Sequence, residues 1–90
     1  MASSADGIPR KFADKCKELG GIPDIEAETV FCHYLPSISR ALELRNFVGE
    51  ILRSEQGFSG FLRIEVPHEN YTEIIYTEGG NVKNWFSHYV

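Results

Sequence analysis

Cysteine, tryptophan and methionine are scarce in this 90-residue sequence: two Cys, one Trp and one Met. No apolar run approaches the ~20 residues that a membrane-spanning helix needs. Residues 1–7 are small and polar and lack the apolar core of a signal peptide. A reducing compartment, the cytoplasm, is therefore the expected location. Basic residues are also in deficit, with nine Lys and Arg against 13 Asp and Glu and a net charge of −4. That balance argues against a non-specific nucleic-acid binder, whose affinity is summed from many phosphate contacts. No G-x-S-x-G elbow, phosphate-binding glycine loop or paired-His helix occurs. Ninety residues make one domain with a thin core, burying little more than ~60% of the unfolded surface.

The patterns that are present divide the chain into residues 1–7, an expected disordered leader, and residues 8–90, a single folded domain. Ile8, Phe12, Cys16 and Leu19 mark one apolar face of a helix, and Gly20-Gly21 ends it. Ile22 to Ile25 is short and holds Pro23, as an edge strand or an extended lead-in does. Thr29 to Leu35 is β-branched and aromatic and reads as a strand. Ser37 is a good N-cap for a second helix running from Ile38 to about Gln56. The apolar residues of that helix sweep roughly 220° of its surface, more than one contact with a sheet requires. Phe58 to Val66 alternates, with Leu62, Ile64 and Val66 on one face and Phe61, Arg63 and Glu65 on the other. Pro67-His68-Glu69-Asn70 is turn chemistry, and Tyr71 to Glu78 returns as a strand. Gly79-Gly80 is a second break. Val82, Trp85, Phe86, Tyr89 and Val90 then fit a helical spacing, with Asn81 as N-cap, although a strand reading of residues 82–90 also exists. The expected architecture is α+β in the order α-β-β-α-β-β-α, an antiparallel sheet with helices packed on one face.

Cys16 and Cys32 sit on a helix and a strand joined by a glycine turn, close enough to meet. A disulfide across that gap would stabilise by about 3 kcal/mol in the chain-entropy model. The expected reducing compartment favours two buried free thiols instead, and a functional thiol pair is a third reading. The helix-Cys, Gly-Gly, strand-Cys spacing resembles one seen in small exported bacterial domains, a likeness that implies a disulfide. Metal binding is not expected: Cys32 and His33 are adjacent and point to opposite faces of a strand, and His68 and His88 bring no second close pair. No cofactor is expected and no catalytic residue is assigned. The Asn70-Tyr71-Thr72 triplet matches a glycosylation acceptor, which has meaning only in a secreted chain.

The aromatic end of the chain is its most informative feature. Trp85, Phe86 and Tyr89 lie within the last six residues, and aromatic residues and Arg are enriched at binding hot spots. The sequence therefore points to a non-enzymatic regulator, inhibitor or adaptor. It would bind another protein, or a second copy of itself, through Trp85, Phe86 and Tyr89 with Phe47 of the central helix, and Arg40 and Arg45 at the rim. The alternative is a small redox or ligand-sensing domain that uses Cys16 and Cys32. Phe61, Arg63, Tyr71 and Tyr76 could form a base-stacking face, but Glu65, Glu69, Glu73 and Glu78 would repel phosphate. Phe58 to Val66 followed by Ile74 to Val82 resembles the hairpin of small prokaryotic sensor or adaptor domains. That likeness covers barely a third of the chain and assigns no family.

Overall fold

The computed structural model describes residues 7–54 and 57–89, with the side chains of all but Tyr89. The expected leader thus lies outside the described residues except for Gly7, as does the expected end of the second helix at residues 55–56. The elements run α1 (Ile8–Glu18), β1 (Ile22–Glu26), β2 (Thr29–His33), α2 (Ile38–Ser54), β3 (Gly60–Val66), β4 (Tyr71–Glu78) and β5 (Asn81–Tyr89), with a 3-10 turn at Pro67–Glu69. The class is α+β.

Five strands form one sheet in the order β1-β2-β3-β4-β5. The pairs β1–β2, β3–β4 and β4–β5 are antiparallel, but β2 and β3 are parallel. The fully antiparallel sheet expected from the sequence is corrected here. Strand direction leaves no mark on residue alternation. It follows from α2, whose crossover returns the chain to the end of the sheet where β2 began.

The last element is a second correction, because residues 81–89 form a strand and not a helix. Gly79 and Gly80 have φ of +60° and +88°, and Glu78 pairs with Asn81. Two central residues with positive φ make the tight turn that suits a hairpin. The helix-like spacing also has a cause. A bulge between Tyr76 and Thr77 pairs Val82 with Thr77 and Asn84 with Tyr76, leaving Lys83 as an extra residue. Val82 and Trp85 therefore share a face despite standing three apart, while Phe86 takes the other face.

The core lies between the helices and one face of the sheet. Helix α1 contributes Ile8, Phe12, Cys16 and Leu19, and α2 contributes Ala41, Leu44, Val48 and Ile51. Val30, Cys32, Leu62, Ile64, Val66, Tyr71 and Ile75 rise to meet them from the strands. Ser37 caps α2, its Oγ accepting the Arg40 amide at 3.3 Å. The breadth of the apolar arc on α2 is used only in part. Ile38, Phe47 and Leu52 are partly buried against the core, and Leu42 remains 41% exposed.

Two glycines predict substitutions of opposite sign. Gly60 has φ +148°, and a Cβ there would run into the Glu28 carbonyl oxygen, which accepts the Phe61 amide at 2.7 Å. Gly60→Ala should destabilise by about 1–3 kcal/mol. Gly49 lies inside α2, where a Cβ would meet open space, so Gly49→Ala should stabilise by about 0.5–1 kcal/mol. Urea denaturation of the two variants beside the parent checks both signs.

Candidate functional site

Cys16 and Cys32 are joined in a disulfide, with a Cα–Cα distance of 5.7 Å and both residues fully buried. This replaces the expectation of two free thiols. Helix α1 ends above β2, and the Gly20-Gly21 turn reverses the chain directly beneath the bond. Gly20 is left-handed at φ +96°, and the Gly21 amide donates to the Cys16 carbonyl at 2.9 Å. A Cβ on Gly21 would stand 2.7 Å from the Cys32 sulfur and 2.8 Å from the Cys16 sulfur. Only glycine lets the turn seat itself against the sulfurs, so the backbone of Gly21 is part of their cover.

A second cluster surrounds Glu73, whose side chain is 0% exposed and faces the helices. Its carboxylate accepts the Tyr71 hydroxyl at 2.5 Å and the indole N–H of Trp85, and it pairs with Arg45 Nε at 3.0 Å. The Arg45 guanidinium also stands 5.7 Å from the centre of the Trp85 ring. A buried carboxylate needs partners of this kind to offset its desolvation. Buried in this way, Glu73 is not among the acids available to repel phosphate, although its place on the strand led one to expect it there. The corrective signal was in the alternation, because Tyr71, Glu73, Ile75 and Thr77 share one parity and are all buried.

Among the described residues, no helix covers the other face of the sheet. Phe31 stacks on His33 with ring centres 5.0 Å apart, and Phe61 lies 4.8 Å from Tyr76. Between these pairs Arg63 Nε meets Glu65 at 2.7 Å, and His33 Nδ1 lies 2.7 Å from the other Glu65 oxygen. Phe86, 50% exposed, sits opposite Ile74 on the same face. Phe61, Arg63 and Tyr76 thus do share a surface, whereas Tyr71 points into the core. At one end of the sheet an open cleft of about 300 Å³ is lined by Tyr34, Leu35, Pro36, Pro67 and His68, with Tyr34 held at φ +62° on its rim.

The residues singled out for partner binding are dispersed by this arrangement. Trp85 and Arg45 meet at Glu73 on the helix side, while Phe86 faces the opposite way. Arg40 pairs with Glu43 at 3.4 Å on the exposed side of α2. Phe47 lies under Lys15 of α1, 5.5 Å from the ammonium. Tyr89 occupies the register position opposite Tyr71. Among the described residues, no three His, Cys, Asp or Glu side chains gather as a metal site requires, and no helix is long and apolar enough to cross a membrane.

Family models, curated proteins and solved structures offer no match to this chain.

Two predictions follow from the Glu73 cluster. Glu73→Gln keeps the shape but loses the charge that faces Arg45, and should lower stability by about 1–3 kcal/mol in denaturant titrations. The second concerns alkaline pH. Burial, and then the hydrogen bond to Glu73, push the Tyr71 phenol above its ordinary value. A phenol raised on folding stabilises fully below its unfolded pKa of about 10, and that contribution fades as pH rises through the folded value. Tyr76 is raised as well, first by its hydrogen bond to Glu78. Tyr71→Phe should therefore flatten part of the alkaline fall in stability, leaving the share due to Tyr76. Denaturation midpoints measured on both proteins between about pH 9 and 12 check this.

Proposed function

We propose that this chain is a small thiol-dependent domain whose redox element is the Cys16–Cys32 pair. The buried disulfide under a side-chain-free turn carries the reading. Where thiols are otherwise kept reduced, a disulfide is usually transient, catalytic or sensing. The chemistry requires a dithiol reductant. Its thiolate attacks one sulfur, a mixed disulfide forms, and its second thiolate closes a new disulfide. Two electrons and two protons thereby pass to the domain, and Cys16 and Cys32 leave as thiols. Access depends on lifting the Gly20-Gly21 turn, since Gly21 brings no side chain and only backbone need move. The output is the seating of α1. In the reduced state Ile8, Phe12 and Leu19 still hold the helix on the sheet, but the covalent tie at its last turn is gone.

Reduction with dithiothreitol under native conditions tests this, read by mass, by alkylation and by hydrogen exchange. The expected result is reversible reduction of a protein that stays folded. Both cysteines become open to alkylation, α1 loses amide protection, and stability falls by about 3 kcal/mol. Resistance to reduction until the whole domain unfolds would make the disulfide a structural staple and sink the proposal. Unchanged protection of α1 after reduction would do the same.

A protein-binding role is a second reading. It is favoured by the helix-free sheet face, where Phe61 and Phe86 remain exposed. Phe86→Ala is the clean probe of that role, because Trp85 also serves Glu73 and its loss would disturb the fold. A drop in partner affinity with unchanged stability is the expected outcome.

A further inference from the structure

Charge is divided between the two layers of the fold. Helices α1 and α2 hold seven of the nine Lys and Arg residues against four acids, whereas the five strands hold five acids against Arg63 and Lys83. Strand alternation sends four of those five acids, Asp24, Glu26, Glu65 and Glu78, to the open face, and only Glu73 turns inward. Arg63 is the guanidinium of that face, and Glu65 already engages it at 2.7 Å. His33 lies between Glu65 and Asp24, at 2.7 and 3.9 Å. Even with Lys83 of the bulge counted, carboxylates outnumber Lys and Arg there two to one. Asp24 and Glu26 crowd each other at the β1 margin, where the hydrogen bond to Asp24, and then its charge, raise the Glu26 carboxyl above its ordinary value. On β4 the Tyr76 hydroxyl donates to Glu78 at 2.7 Å and also lies in the field of Glu28. Aromatic rings stand between these acidic margins. The register runs straight across the sheet, with Glu26 opposite Thr29, Thr29 opposite Phe61 and Phe61 opposite Tyr76. At ~4.8 Å between strands, that row spans roughly 14 Å. An exposed ring with carboxylates beside it attracts a cation twice, by their charge and by its own negative face.

We propose that the open sheet face docks a basic segment of a partner protein, with Arg or Lys side chains seated over Phe61 and Tyr76 between Glu26 and Glu78. Charge complementarity selects this occupant. Four carboxylates among exposed rings favour cations and repel an acidic segment or a phosphate backbone, and a second copy offering the same face would oppose acid to acid. Arginine suits the site best, because its guanidinium stacks flat on a ring while its edge donates to a carboxylate. Ile74 and Phe86, opposite each other on β4 and β5, receive the apolar residues of the segment. This assignment rests on the protein-binding reading, names the chemistry of its partner, and is independent of the redox state of the cysteines.

The test titrates the oxidised full chain with a short capped peptide that alternates Arg and Leu, and with its Glu-Leu counterpart, read by calorimetry and by amide NMR shifts. The Arg peptide should bind, more weakly as salt rises, with shifts centred on Phe61, Arg63, Tyr76 and Phe86, and the Glu peptide should not. Glu26→Gln with Glu78→Gln should lower affinity about tenfold, and Phe61→Ala by a similar factor. Glu43→Gln with Glu50→Gln removes the same charge from α2 and should leave binding unchanged. All five positions are exposed, and circular dichroism confirms that each variant is folded. Absence of binding, shifts centred elsewhere on the surface, or equal weakening by the two charge pairs overturns the assignment. If the Arg peptide fails but Phe86→Ala still loses affinity for a partner protein, the binding reading stands and its basic occupant falls.

Discussion

The bond between Cys16 and Cys32 ties the C-terminal turn of α1 to β2, the strand from which the chain crosses over through α2 to β3. In a 90-residue domain the apolar core alone leaves little margin, so a tie worth about 3 kcal/mol is a large share of net stability. Its position also dictates neighbouring sequence. Gly21 must be glycine to clear the sulfurs, and the left-handed Gly20 turns the chain immediately into β1. Leu35 then seals the site from the other side, its side chain 3.0 Å from where a Gly21 Cβ would stand. Helix end, turn and strand are thus one unit organised around two sulfur atoms.

At the far side of the sheet, a polar cluster does the equivalent work. Glu73 is carried inward by strand alternation, and three donors from three elements converge on it: Tyr71 beside it on β4, Trp85 from β5 and Arg45 from α2. Helix α2 is thereby oriented over β4 and β5 by a directional interaction where apolar contact is sparse. Arg45 is half exposed and stands between the buried carboxylate and solvent, which gives a charged residue a purpose on this side of α2. The same contact takes Trp85 out of the exposed aromatic set and leaves Phe86 on the opposite surface.

The distribution of apolar surface follows from two helices facing five strands. The helices bury one face of β2, β3 and β4, and they leave the other face and the β5 edge open. On the open face, aromatic pairs and the His33–Glu65–Arg63 chain of charges lie side by side. The disulfide and the open aromatic face therefore lie on opposite sides of the sheet.

Much of this was legible along the chain. The helical spacing of Ile8, Phe12, Cys16 and Leu19, the Ser37 cap, the parity of Leu62, Ile64 and Val66, and the edge character of the Pro23 strand all reflect local rules of period and turn chemistry. The parity of Tyr71, Glu73 and Ile75 was there too, although a carboxylate on a core face shows its purpose only once its donors are known. What local rules cannot reach was decided by tertiary structure. The direction of β2 against β3 depends on where α2 delivers the chain. The last segment is a strand because the Gly79-Gly80 turn pairs it with β4, and its helix-like spacing comes from a bulge, which exists only in a pair. The sequence determined which residues face inward within each element. Their meeting across elements, cysteine with cysteine and Glu73 with Arg45, Tyr71 and Trp85, was settled only when the packed sheet brought distant positions within bonding distance.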